Sequence, residues 1–153
     1  MMKTKIQIKR TLVFALFTVL FSFKGYTQDK IYENRYLFLY VPATYQDNKT
    51  AYFSDLIFYS NYNECGSDWN LKTLAIRAFS NYLSANYNSI FPYGTQNISV
   101  VEYTEFSTSD YLKSRQDAYD RMNALKAKIL SDDHGYSGIK HEVYFTNFTY
   151  SCE

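Results

Sequence analysis

Two stretches, Tyr32–Val41 (YENRYLFLYV) and Ala51–Ser60 (AYFSDLIFYS), decide how the chain must fold. Each carries aromatic and aliphatic residues at both alternating parities, in runs of strand length. Pro42 stops the first, and the polar run Tyr45–Thr50 (YQDNKT) supplies turn residues between them. The pair therefore reads as an antiparallel hairpin.

Toward the C-terminus the period changes. Leu71, Leu74, Ala75, Ala78, Phe79, Tyr82 and Leu83 recur at helical spacing, with Ser67 or Asp68 placed to cap the first turn. Phe91-Pro92-Tyr93-Gly94 breaks the chain, and Ile98–Phe106 (ISVVEYTEF) predicts a third strand. Thr108 or Ser109 is the expected cap of a second helix, in which Tyr111, Leu112, Ala118, Tyr119, Met122, Leu125, Ile129 and Leu130 form the apolar side. Ser131–Gly138 (SDDHGYSG) reads as a loop, and Ile139–Tyr150 as a last strand. The order β-β-α-β-α-β predicts an α+β fold: a two-layer α/β sandwich with a four-stranded mixed sheet and two helices on one face. That layering assumes right-handed crossovers and a sheet that grows in one direction.

Toward the N-terminus the chemistry is different. Lys3–Arg10 is basic, Leu12–Phe23 (LVFALFTVLFSF) is apolar, and Gly25-Tyr26-Thr27 places small residues at −3 and −1 of a cut before Gln28. This is the order of a secretory signal peptide, and the apolar run is too short to span a bilayer. Residues 1–27 are thus expected to be a cleaved signal and 28–153 a single small α/β domain, periplasmic or secreted. The abundance of Tyr (17) and Phe (12) beside only five Gly also fits the A/T-rich codons of a bacterial source.

With 16 basic and 15 acidic residues the chain has no charge excess to hold nucleic acid, and removing the basic leader leaves the rest mildly acidic. An exported chain with two cysteines implies a disulfide, Cys65–Cys152. If both helices are crossovers, the second, third and fourth strands run the same way. Both cysteines then lie just past strand ends at one edge of the sheet.

Few constellations suggest catalysis. Cys65-Gly66-Ser67-Asp68-Trp69 has the outline of the signature around papain-type nucleophiles, but Asp68 stands where the nucleophilic cysteine belongs. Glu102 and Glu105, three apart on a strand, point to opposite faces and make no carboxylate pair. Asp132, Asp133 and His134 read as a solvated turn, with His141 and Glu142 facing opposite ways beyond it. No metal or cofactor site is expected. The remaining surface candidate is aromatic: Tyr36, Phe38 and Tyr40 on the first strand and Tyr144, Phe148 and Tyr150 on the last, together on the face the helices leave open. The functional expectation is an exported, non-catalytic binding or interaction module that uses this face for a protein, a glycan or a second copy. A small hydrolase or thiol enzyme using Cys65 and a histidine, and a periplasmic inhibitor or immunity-type protein, are the alternatives.

Overall fold

A computed structural model describes residues 33–43, 49–60, 64–105, 107, 109–131 and 140–152, all within one unit, Tyr32–Glu153. The signal segment, the Asp132-Asp133-His134 turn and Ile139 lie outside the described residues. The elements are β1 (Asn34–Val41), β2 (Thr50–Phe53), β3 (Ile57–Ser60), α1 (Asp68–Asn86), β4 (Ser99–Val101), α2 (Arg115–Ser131) and β5 (Glu142–Phe145). They form a mixed sheet with two helices, the α+β class expected.

β1 is the central strand. Tyr40 pairs with Phe53 of β2 and with Ser99 of β4, so those two strands lie on opposite edges of β1. β2 and β3 share one edge and are halves of a single bent strand. The pairs Leu37–Ile57 and Tyr40–Phe53 leave Ser54, Asp55 and Leu56 facing only Phe38 and Leu39. That extra residue is a β-bulge. Its exposed backbone groups are met locally: Ser54 is fully buried, its Oγ accepts from the Leu39 N–H at 2.8 Å and donates to the Asp55 carbonyl at 2.7 Å. The bulge also reverses parity. Ala51 and Phe53 face one side of the sheet with Leu56, whereas Tyr52 shares the other with Ile57 and Tyr59.

β2, β3 and β4 all run antiparallel to β1, and β5 runs parallel to β2. The strands after the first therefore point the same way, as anticipated. The helices do not share a face. α1 packs Leu71, Ala75, Phe79 and Leu83 on Leu37, Leu39 and Val41, while α2 packs Ala118 and Met122 with Phe38, Phe53 and Leu112. The reason is strand order. The first crossover carries the chain over β1 from β3 to β4, and the second carries it back to β5 beyond β2. Two right-handed crossovers in opposite directions put their helices on opposite faces.

α1 begins where Gly66, at φ +84°, turns the chain out of the region after β3. Ser67 is its cap, with Oγ accepting from the Asn70 N–H at 3.2 Å. α2 starts later than its apolar spacing suggests. Ser114, rather than Ser109, is the residue whose Oγ accepts from the Asp117 N–H, at 3.0 Å; Thr108 lies outside the described residues. Tyr111 and Leu112 are extended instead, because the N-terminal half of β1 has an edge to fill: Tyr36 donates its N–H to the Leu112 carbonyl at 2.8 Å, and Leu112 donates to Glu102 at 3.0 Å.

Beyond β5 the chain leaves regular structure and follows the bulge. Thr146 donates both its N–H and its Oγ1–H to the Phe53 carbonyl, each at 2.8 Å, and Asp55 donates to the Phe148 carbonyl at 2.7 Å. Phe148 thereby enters the α1 core. Cys152 reaches Cys65, with Cα atoms 5.4 Å apart, and the disulfide closes across 87 positions.

Candidate functional site

The six aromatics expected on one open face are divided between two covered faces. Tyr36, Phe38 and Tyr40 pack on the α2 side; Phe148 and Tyr150 pack on the α1 side, where Tyr144 also meets Tyr52 and Tyr87. Phe38 is wholly buried and Phe148 is 8% exposed. Tyr36, Phe38 and Tyr40 share one face of β1, but Tyr144 on β5 faces the other side of the sheet, and Phe148 and Tyr150 lie beyond the last strand; register between distant strands is not written in either one.

Two of the sheet's margins remain open. The first is at β5, which pairs only with β2 among the described residues. Its consecutive residues Tyr144 and Phe145 point to opposite sides and are 48% and 39% exposed. Tyr144 sits 5.8 Å from Tyr52 and 5.6 Å, edge-on, from Tyr87. On the far side Phe145 lies 5.4 Å from Phe53, with the Lys126 ammonium 5.2 Å above its ring. Burial, with hydrogen bonding to Tyr144 behind it, raises the Tyr87 phenol above its ordinary 10. The sequence names Tyr144 but not Phe145, because nothing in a strand's own alternation marks it as an edge.

The second margin is the carboxyl edge near β3 and β4, where the chain departs toward α1 on one face and leads on to α2 on the other. In open α/β sheets such an edge is the usual ligand crevice. Here it holds a polar cluster. Arg35 donates to Asp68 at 3.1 Å and Glu33 at 3.4 Å, and its guanidinium lies 3.7 Å from the centre of the Tyr111 ring. Lys72 reaches both Glu102 oxygens at 3.0 Å, and the Tyr59 hydroxyl donates to Glu102 at 3.3 Å. Tyr103 and Tyr111 meet hydroxyl to hydroxyl at 3.4 Å. Burial first, and the charges of Glu102 and Asp68 second, push the Tyr59 phenol far above its ordinary 10. Arg35 holds Asp68 and Lys72 holds Glu102, so two ion pairs tie the start of α1 to the sheet.

Glu105 engages Arg121 of α2 at 3.6 Å, whereas Glu102 engages Lys72 of α1, so the two carboxylates serve opposite faces and form no pair. Cys65 is held in the disulfide and presents no thiol. Among the described residues no group of three or more His, Cys, Asp or Glu is placed to hold a metal ion, and no helix is long and apolar enough to cross a membrane. No protein-family model, curated protein or solved structure matches the chain.

Proposed function

We propose that the chain is an exported binding module without catalytic activity, whose partner docks on the aromatic margin formed by Tyr144, Phe145 and Tyr87. The observation that carries this reading is the half-exposure of two large aromatics at consecutive positions of an edge strand. Each ring is stiffened by aromatic neighbours beneath it, so little conformational entropy is lost when a partner covers it. A protein surface or a sugar ring fits against Tyr144 and Tyr87 on one side of the edge or Phe145 on the other, and the open strand edge between them also admits a second copy. Export is supported by the order of residues 1–27 and by the disulfide, a bond that persists in oxidising compartments.

The test is Tyr144→Ser, made in the full chain. Its loss of packing costs stability by about 1 kcal/mol or less, since the ring is half solvated. Association, followed by sedimentation and by binding to a panel of glycans and secreted proteins, should fall at least tenfold. Unchanged association would remove the aromatic margin from the account. Tyr36 and Tyr40 are poorer targets: Tyr40 stacks on Phe53 at 5.2 Å, and Tyr36 packs on Phe58 at 5.3 Å.

A further inference from the structure

The turn that follows α1 displays one side chain from a fixed backbone. Tyr93 is 98% exposed. Beneath it, Ile90 and Phe91 both donate their N–H groups to the Tyr87 carbonyl at 2.9 Å, and Gly94 donates to the Phe91 carbonyl at 3.1 Å. Phe91 is buried in the α1 core, edge-on to Tyr52 at 5.2 Å. The helix holds the other side of the turn: the Ser84 hydroxyl donates to the Pro92 carbonyl at 3.3 Å, and Ser80 Oγ accepts from the Thr95 N–H at 2.9 Å. Gly94, at φ +72°, lies so close to α1 that a Cβ there would run into the Ser80 hydroxyl. Backbone hydrogen bonds, a buried ring and a glycine thus set the direction in which Tyr93 projects.

The surroundings define what fits. From Ala78 to Val101 no residue carries a charge, in a chain that is 20% charged. The exposed residues around Tyr93 are Asn88, Ser89, Ile90, Gln96 and Asn97. Absence of charge beside a prominent tyrosine is the composition of a protein–protein contact centre. Tyrosine with Asn, Ser and Gly is also the mixture that antibody loops use, a rigid ring for area and small polar groups for adaptable hydrogen bonds. A sugar stacks on a ring that is supported from below, whereas this ring has protein behind neither face, so it is shaped to enter a pocket. A second copy is a poor receptor, because the grooves beside β4 and α2 are lined by Glu105, Asp117, Asp120 and Arg121. We infer that residues 88–97 form a docking turn for a folded partner protein, with Tyr93 as a plug that enters an uncharged, apolar pocket and bonds its hydroxyl at the pocket floor. Because the turn is already fixed, little ordering is required on binding. The inference stands on the turn alone and does not rest on the Tyr144 margin.

The experiment places benzoylphenylalanine at position 93 of the full chain in its own host, with the exposed Asp120 of α2 as the control position. The expected result is a discrete protein adduct at 93 and none at 120. The adducted protein is then purified and titrated against the oxidised chain. Tyr93→Ala should weaken that binding at least tenfold and Tyr93→Phe by less, with the melting temperature near that of the parent because the ring is almost wholly solvated. Tyr144→Ser in the same titration separates this proposal from the aromatic margin. Binding that survives Tyr144→Ser but not Tyr93→Ala assigns the contact to the turn, and loss in both variants means that one partner spans both surfaces. Loss with Tyr144→Ser alone would overturn the docking turn and leave the margin standing. No adduct at 93, the same adducts at 93 and 120, an adduct that is a glycan or a second copy, or affinity unchanged by Tyr93→Ala would each overturn it as well.

Discussion

Ser54 shows how one hydroxyl governs the sheet. The bulge leaves the Leu39 N–H facing it at a fully buried site, and the side-chain oxygen is the acceptor. Ser54→Ala should cost about 1–3 kcal/mol, the penalty for orphaning a buried donor, measured as a shift in the urea midpoint at constant m-value. Ser54→Thr retains the hydroxyl and tests whether the volume alone matters. Tyr59 makes a second prediction at this scale. Its phenol ionises far less readily when folded than when unfolded, chiefly through burial. The folded state therefore holds a proton that the unfolded chain releases above pH 10, so stability is level below pH 10 and falls as the pH rises beyond it. Tyr87 and Tyr103 shift the same way. Denaturation curves from pH 8 to 12 should show this decline, and Tyr59→Phe should make it shallower. A slope unaffected by that substitution would exclude Tyr59 as a contributor. Neither residue could be singled out beforehand. Ser54 stood inside a run read as one uninterrupted strand, and Tyr59 gains its surroundings from Arg35, Asp68, Glu102 and Tyr111, on four separate segments of the chain.

Among the elements, α1 was the most legible. Its stripe of Leu71, Ala75, Phe79 and Leu83 is buried as periodicity requires, and Ser67 caps it. Only Leu74 departs, at the rim of the stripe and exposed. Ser67→Ala should lower stability by about 1 kcal/mol, and Phe79→Ala by about 3–5 kcal/mol, both readable by chemical denaturation. α2 was less legible at its start. Tyr111 and Leu112 have helical spacing relative to Ala118 and Met122, yet their backbone groups complete the edge beside Tyr36 and Glu102. Tertiary hydrogen bonding outweighed local period there. β5 shows the same limit: the last strand ends at Phe145, and the aromatics beyond it follow the bulge instead of extending the sheet.

For the whole molecule, the class of fold, the element order and the common direction of β2 to β5 followed from local patterns. Strand order did not, since it depends on which edge of β1 each crossover reaches, and with it went the placement of the helices and of the aromatic residues. The disulfide was legible because two cysteines at equivalent strand ends needed only a shared direction. It fixes the C-terminal segment whose Phe148 fills the α1 core. Cys65→Ser with Cys152→Ser should lower stability by about 2–5 kcal/mol, against about 4–5 kcal/mol from loop entropy alone for a closure of 87 positions. Intact mass of the chain recovered outside the cytoplasm should begin at Gln28 and take up two alkyl groups only after reduction. A mass retaining residues 1–27 would contradict the proposed export.

The central claim is that the domain acts by binding through its aromatic β5 margin, and site-specific photo-crosslinking tests it most directly. Benzoylphenylalanine is placed at Tyr144, and at the exposed Arg77 of α1 as a control, in the protein expressed in its own host. The account predicts a discrete adduct, of a protein, a glycan or a second copy, at position 144 and none at 77. No adduct at 144, or the same adducts at both positions, would contradict it.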